Sequence, residues 1–533
     1  MKRLGVLMLL AAMVSIANAI PARRGAIVKT APDGSEKRVY LHGNAFSHYM
    51  TDEAGNWLNE ETLEPLSTEE KEARVAVNAR RAQARRAQQQ EMIGGELNLA
   101  PRGLLILVNF KNKAFTTPKE TLVDMINGDN FSRDYTFYSS YYGRNRHITC
   151  SGSAKQYFHD VSWGQYNPVF DVVGPFNLSE NYSYYGRNND ANAGKMIKEA
   201  CELADADGVD FTLYDNNNDG NVDFVYVLYA GYGEADGGEA NTVWPHNYDL
   251  GYYYGLNCVV DGKKVRNYAC SNELNYDGGH YSGIGTFCHE FSHVLGLPDL
   301  YETNEYGTSS WKNVHTLYEW DILDYGPYNN DGNTPPGYSA YERFYMGWLK
   351  PRVLTNPEYV WLNPLNNHQE ALIICEGDQH NLVGNDPNPN TFYILESRKK
   401  VGWDKYLPGQ GLLITKITYD YEYWMYNEVN NSPSRMGVDI IEAKTNTSDF
   451  SKSTDAFPAG AKSWTDFTDH EITLIEIQEG GAVTFSYRGE TKGQGLEGVN
   501  SEDKSVKSEK ILRDGQLLII RDGKVFDILG NRL

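Results

Sequence analysis

The stretch from Thr286 to Asp299, Thr-Phe-Cys-His-Glu-Phe-Ser-His-Val-Leu-Gly-Leu-Pro-Asp, constrains this chain more than any other. It reads His-Glu-x-x-His, with Gly296 three residues on and Asp299 three after that. An α-helix turns about 100° per residue, so His289 and His293 project from one face, one turn apart. Phe287, Phe291 and Val294 fall on the opposite side, suited to packing into the body of the protein. Gly296 fits the left-handed residue that ends a helix, and Pro298 opposes continuation. The chain can then turn sharply and return Asp299 toward the two imidazoles. Two imidazoles and a carboxylate hold a catalytic zinc ion and leave a fourth position for water. Glu290, beside the first histidine, can act on that water as general base. The alternative is an amphipathic helix that carries two histidines by coincidence.

Residues 1–19 have the pattern of a signal peptide. Lys2 and Arg3 supply the positive start, Leu4 to Ile16 is apolar but short for a membrane span, and Ala17-Asn18-Ala19 is a small-x-small cleavage pattern. A membrane anchor is the alternative. No later apolar stretch is long enough to span a bilayer, so the expected product is secreted or held at the cell surface. With 49 Lys and Arg against 71 Asp and Glu, the net charge of −22 argues against nucleic acid and anionic membrane as partners. Six cysteines in an exported chain permit disulfides without establishing them. A hairpin turning at Asp261-Gly262 sets Cys258 opposite roughly Val265 to Asn267, which does not support a Cys258–Cys270 bond. Cys288, beside the first histidine, reads as buried packing.

The 533 residues leave room for several domains. Residues 20–66 carry strand-like pieces punctuated by turn signals and read as a pro-segment. Residues 67–98 are rich in Ala, Arg, Gln and Glu and read as a helical basic linker. Its Arg74, Arg80, Arg81, Arg85 and Arg86 make it either a connector open to trypsin-like processing or an ordinary solvated helix. Residues 99–350 form the catalytic domain, opened by the buried-strand run Leu104 to Phe110, with helices over 119–127 and 190–205. Ser339 to Trp348 reads as a further helix. Residues 351–489 alternate strand and turn signals and read as a β-rich supporting lobe without a catalytic constellation. Residues 490–510 are a polar linker, and 511–533 a meander of small strands. The fold class is α+β, a mixed-sheet peptidase domain with an active-site helix and a β-rich carboxy-terminal lobe.

A second chemical motif precedes the histidine helix. Asp215, Asn217, Asp219, Asn221 and Asp223 place oxygen-bearing side chains at alternate positions, and Gly220 permits a tight bend. This is the front of an EF-hand-type loop, suited to a structural calcium ion, although position 226, where the closing glutamate belongs, is Tyr. A plain polar turn is the alternative.

The combined motifs resemble the immune inhibitor A family of secreted bacterial zinc peptidases, which is metzincin-like. The resemblance covers roughly residues 25–488 and includes Gly152-Ser153-Ala154, Phe170 to Pro175, Ala230 to Glu234, Trp244-Pro245-His246, Trp320-Asp321 and Leu407 to Leu413. Leu41 to Phe46 echo the family's pro-segment. It implies His289, His293 and Asp299 as zinc ligands, Glu290 as base and latency imposed by the pro-segment. It implies hydrolysis of protein or peptide substrates by Glu-assisted attack of zinc-bound water. Leu323 stands where metzincins place a methionine beneath the metal; the two side chains have similar volume. Tyr325 occupies the place of a tyrosine near the metal in some metzincins, as an oxyanion-stabilising group or a structural one. The last segment looks like sorting domains of type IX (Por) secretion cargo, with simple export to the periplasm as the alternative. Two rival functions remain: a calcium-stabilised surface binding protein whose active site is unused, and a zinc amidase acting on cell-wall peptide or glycan.

Overall fold

A five-stranded sheet with apolar side chains on both faces organises the domain that carries the histidine helix. In the computed structural model, which describes residues 20–44, 47–76, 102–140, 142–303, 316–448, 450–490, 508–513, 516–521 and 524–526, its order is His246–Asp249, Asn267–Leu274, Val225–Tyr232, Arg102–Asn109, Val169–Asn177. The first pair is antiparallel and the other three are parallel. Successive side chains of a strand point to opposite faces. Leu105 and Leu107 accordingly join the core that holds Phe287, Phe291 and Val294 of the helix Gly285–Val294. Leu104, Ile106 and Val108 join the core beneath the helix Ala193–Ala206. Burial on both sides is why this strand reads as an unbroken apolar run.

The amino-terminal residues enter the second of these cores. Strands Ala26–Thr30, Glu36–Asn44, Ser47–Thr51 and Trp57–Leu58 make an antiparallel sheet in chain order. Ile20, Ala22, Ile27, Val39, Leu41 and Met50 pack in one apolar cluster with Val227 and Trp244 of the catalytic domain. Residues 68–76 are helical, and Arg74 pairs with Glu60. Arg80, Arg81, Arg85 and Arg86 lie outside the described residues, as does the expected signal segment.

The carboxy-terminal lobe is two sheets. Five strands, Arg352–Val353, Leu372–Ile374, Thr391–Arg398, Gly411–Thr418 and Val438–Ile440, pair in chain order. The second sheet is antiparallel, in the order Glu358–Leu362, Val483–Tyr487, Ile472–Ile477. Their shared core contains Leu362, Leu395, Ile414 and Phe485. Phe392, Ile394, Leu413 and Trp424 instead face the core of the histidine helix, so lobe and catalytic domain bury one continuous apolar interior. A three-stranded antiparallel meander, Ser508–Arg513, Gln516–Arg521 and Lys524–Phe526, lies near the end of the chain. It begins inside the stretch 490–510 expected as linker.

The chain is α+β, with a mixed-sheet domain bearing the histidine helix and a β-rich region beyond it. Some boundaries differ from the sequence reading. The helix expected over Ser339 to Trp348 covers only Ala340–Tyr345, entered through a reciprocal Ser339–Glu342 cap. Gly347, in the left-handed region at φ +72°, turns the chain away. The helix expected over 190–205 starts at Ala193, because Asn188, Asn189 and Asp190 all have positive φ. The hairpin about Asp261-Gly262 pairs Cys258 with Val265, and the six cysteines are free. Among the described residues no helix is long and apolar enough to cross a membrane.

Candidate metal centre and cleft

The helix Gly285–Val294 is buried along almost its whole length, and its start is seated by contact that only glycine permits. A Cβ on Gly285 would lie 2.0 Å from the Pro327 carbonyl oxygen. The Gly285 N–H donates to the Gly332 carbonyl at 2.8 Å. At the other end Gly296 has φ +87°, the left-handed turn that reverses the chain toward Asp299.

The two histidines are held in one tautomer. His289 Nδ1 lies 2.7 Å from the Ile322 carbonyl, and His293 Nδ1 lies 2.8 Å from the Leu297 carbonyl. A carbonyl only accepts, so both Nδ1 atoms carry the proton and, in the neutral rings, both Nε2 atoms present bare lone pairs. Those lone pairs converge. The Nε2 atoms are 3.1 Å apart, and Asp299 Oδ1 is 3.2 Å from His289 Nε2 and 3.3 Å from His293 Nε2. Three acceptors facing one another inside the protein repel unless a cation lies between them, and two nitrogens with one carboxylate oxygen are a donor set that suits zinc. All three side chains are at most 1% exposed. Burial opposes ionisation of Asp299, yet positive charge on the facing imidazoles, standing where a bound cation would, outweighs it and holds the carboxyl below the usual carboxylate range.

Asp299 is aimed by a residue that the motif does not contain. Asn427, from the carboxy-terminal lobe, accepts the Asp299 backbone N–H and donates its own Nδ2–H to Asp299 Oδ2, both at 2.6 Å. Its neighbours extend the clamp: Asn430 Nδ2 donates to the Leu300 carbonyl at 2.6 Å, and Asn431 Oδ1 accepts the Thr303 N–H at 2.7 Å. The sequence signal was the Asn-Glu-Val-Asn-Asn run, which alone does not say what it binds. Leu323 is fully buried in the same core as the helix and accepts the Leu300 N–H through its carbonyl at 2.8 Å.

Glu290 is fully buried, and its Oε1 accepts the backbone N–H of Ile20 at 2.9 Å. Oε2 has no partner among the described residues. Burial, with the nearby Asp299 carboxylate, raises the Glu290 carboxyl well above its ordinary range, and the Ile20 N–H opposes this. Residues 20–24 run on from that contact under continuous restraint. Trp244 Nε1 donates to the Ile20 carbonyl at 2.9 Å, Tyr328 Oη to the Pro21 carbonyl at 2.7 Å, and the Arg23 N–H to the Ala235 carbonyl at 2.8 Å. Tyr325 lies under this segment, its ring centroid 3.5 Å from the Arg24 guanidinium carbon.

The oxygen-rich loop folds onto itself. Asp215 accepts the amides of Asp219 and Gly220 at 3.0 and 3.1 Å, Asn217 the amide of Asp219 at 2.9 Å, and Asp219 the amide of Asn221 at 2.8 Å. Asp223 accepts the Asn216 amide at 2.8 Å. The Lys263 ammonium sits 2.6 Å from Asp215 Oδ2 and holds that carboxyl below its ordinary range. His48, Glu60 and Glu234 form another converging group, with His48 Nε2 3.5 Å from Glu234 Oε2.

Residues 98–349 match the family described as immune inhibitor A peptidase M6, catalytic domain. The chain is 28% identical over 229 residues to the pre-pro-metalloprotease PrtV from strains of Vibrio cholerae serotype O1, covering 36% of this chain and 23% of that protein. It is 26% identical over 222 residues to immune inhibitor A of Bacillus thuringiensis subsp. alesti, covering 35% of this chain and 30% of that one. The match spans less than a third of the length of either relative.

Proposed function

We propose, from the match of residues 98–349 to the immune inhibitor A peptidase M6 catalytic domain, that the chain is a secreted zinc-dependent endopeptidase made as a zymogen. The observation that carries this is the convergence of His289 Nε2, His293 Nε2 and Asp299 Oδ1 to within 3.3 Å of one another, with the buried carboxyl of Glu290 beside the first of them in the chain. Zinc bound there supplies Lewis-acid polarisation of a peptide carbonyl and of a water molecule. Ile322 and Leu297 fix the imidazoles through their carbonyls, and Asn427 fixes the carboxylate. Glu290 takes the water's proton and passes it to the leaving amide nitrogen. Tyr325 is kept as a candidate for oxyanion stabilisation once the segment above it has left.

Latency follows from residues 20–24. An N–H already donated to Glu290 Oε1 occupies the base, and the carbonyls of Ile20 and Pro21 are held by catalytic-domain donors, as a peptide in the cleft would be. A signal peptide ending at Ala19 would make Ile20 the first residue of the exported zymogen, its amino group then donating to Glu290 in place of the amide N–H, and type IX machinery is the proposed handler of the carboxy-terminal meander. Calcium at the 215–223 loop is proposed as a structural ion. Its support is the density of oxygen ligands, and binding requires that Lys263 release Asp215.

The deciding experiment is Glu290→Gln in the matured protein, with casein cleavage and metal content measured together. Hydrolysis should fall about a thousandfold, within the range for loss of a general base, while bound zinc is retained. Zinc-dependent cleavage at the wild-type rate would reject the assignment.

A further inference from the structure

Arg23 is 7% exposed, which is rare for arginine without a built receptor. Its Nη1 donates to Asn275 Oδ1 at 3.0 Å, and its Nη2 lies 3.4 Å from Asp331 Oδ1 and 3.7 Å from Asp277 Oδ2. Every one of these acceptors belongs to the catalytic domain, in loops on either side of the histidine helix. Each carboxylate is also oriented from outside the amino-terminal segment. Ser139 Oγ donates to Asp277 at 2.5 Å and the Ser140 N–H at 2.7 Å, while Arg146 Nη1 lies 2.9 Å from Asp331 Oδ2. Asp236, also buried, adds a third carboxylate nearby and lines the small cavity beside Ile20 with Asn275 and Asp331. Departure of residues 20–24 would leave a pocket bearing Asp236, Asp277 and Asp331, with Arg146 against Asp331 and Lys29 facing Asp236.

The pocket stands in a fixed relation to the chemistry. The N–H facing Glu290 belongs to Ile20, and in hydrolysis the nitrogen facing the general base is the leaving amine. Ile20 therefore occupies the place of the first residue after the scissile bond, and Arg23 that of the fourth. We propose that the Asn275–Asp277–Asp331 pocket is a substrate subsite that takes a basic side chain, arginine above lysine, on the fourth residue after the bond cleaved. A guanidinium can reach all three acceptors at once, whereas an ammonium is a single compact point. This rests on the peptidase reading of the same cleft. It assigns the class of polypeptide the cleft selects: chains with arginine a short extended run downstream of the cut.

The test uses the protein as secreted and matured, with two series of synthetic peptides. Fluorogenic peptides identical except for Arg, Lys, Gln or Glu at the fourth position should give kcat/KM for Arg roughly tenfold or more above Gln, with Lys between and Glu lowest. Asp277→Asn and Asp331→Asn should each shrink the Arg-to-Gln ratio, and Asp277→Lys should turn the preference toward Glu. Because each result is a ratio within one variant, a partly folded preparation does not imitate it. Equal rates for Arg and Gln peptides in the wild type, or a ratio unchanged in both Asn variants, overturns the proposal. Peptides with only three residues beyond the bond report on the peptidase itself. If the wild type cleaves none of them, the enzyme reading fails, and binding decides the subsite. Ile-Pro-Ala-Arg-Arg should then bind at least about tenfold tighter than Ile-Pro-Ala-Gln-Arg by fluorescence titration, and equal binding sinks it.

Discussion

Asn427 offers the sharpest test of how the metal centre is held. Its backbone sits at φ +53°, in the left-handed region, so alanine there would add strain of its own. Glycine adopts that conformation freely, and Asn427→Gly removes the side chain alone. The residue is fully buried, and the two bonds lost, both 2.6 Å, include one to an ionised carboxylate. A neutral hydrogen bond contributes about 0.5–1.5 kcal/mol and one to a charged group about 1.5–3. Removing Asn427 therefore costs about 2–4.5 kcal/mol, part of it as unfolding free energy and part as weaker metal binding. Freed from Asn427, Asp299 can rotate its Oδ1 away from the imidazoles, and loss of such a supporting group typically lowers metal affinity about 10–100-fold.

Two measurements separate these terms: competition for zinc against a chromogenic chelator, and urea unfolding with the metal removed. Asn430→Ala is the control, because Asn430 is equally buried but donates to the Leu300 carbonyl, not to the ligand. Its side chain also bonds the Val438 carbonyl and the Gly437 and Val438 amides, so the substitution should lower stability at least as much while leaving zinc affinity within about threefold of wild type, the small change expected of a residue that touches no ligand. Zinc affinity unchanged in Asn427→Gly, or reduced equally by Asn430→Ala, would refute the idea that Asn427 aims Asp299.

Three further outcomes follow from the geometry. Gly285→Ala drives a methyl group against the Pro327 carbonyl, a 2.0 Å approach between backbone elements that cannot both yield; the cost of about 1–3 kcal/mol should lower Tm by several degrees, and a Tm within a degree of wild type contradicts it. Burial alone would lower His48, but Glu234 and Glu60 outweigh it and the ring is pushed up to about 9, with Asp190 also facing it. The folded state thus binds this proton more tightly than the unfolded chain, so its stabilisation, on the order of 3 kcal/mol, is complete below about pH 6.5 and is lost as pH rises through 9. Urea midpoints between pH 7 and 10 should fall more steeply for the wild type than for His48→Gln, and parallel curves would rule this out. Chelator should lower Tm by the free energy of metal binding, about 4 kcal/mol where metal stands at a thousand times its Kd. Zinc, not calcium, should restore it in a variant carrying Asp215→Asn and Asp219→Asn; restoration by calcium alone would reverse the assignment of the two sites.

What the sequence disclosed and what it withheld divide along chain separation. The histidine spacing, the helix stop at Gly296, the unbroken apolar run through Leu104–Val108 and the Cys258–Val265 register depend on residues within a turn, a strand or a hairpin of one another, and local sequence pattern encodes such relations. The groups that finish the site do not. Asn427 reaches Asp299 across 128 residues and Ile20 reaches Glu290 across 270. Nothing in an asparagine-rich turn or in Ile-Pro-Ala-Arg distinguishes these from surface loops until the lobe and the amino-terminal sheet have packed against the catalytic domain. Asp277 and Asp331 were equally silent, since each reads as a turn residue in a Gly- and Asn-rich stretch. The two distant contacts fall on one carboxyl each, Asp299 beside the paired imidazoles and Glu290 beneath residues 20–24. In the proposed reading the carboxy-terminal lobe thus fixes the ligand while the amino-terminal segment caps the base. Removal of that segment should expose Glu290 without disturbing Asp299, because among the described residues Asn427 holds Asp299 from the carboxy-terminal lobe while Ile20 contacts Glu290.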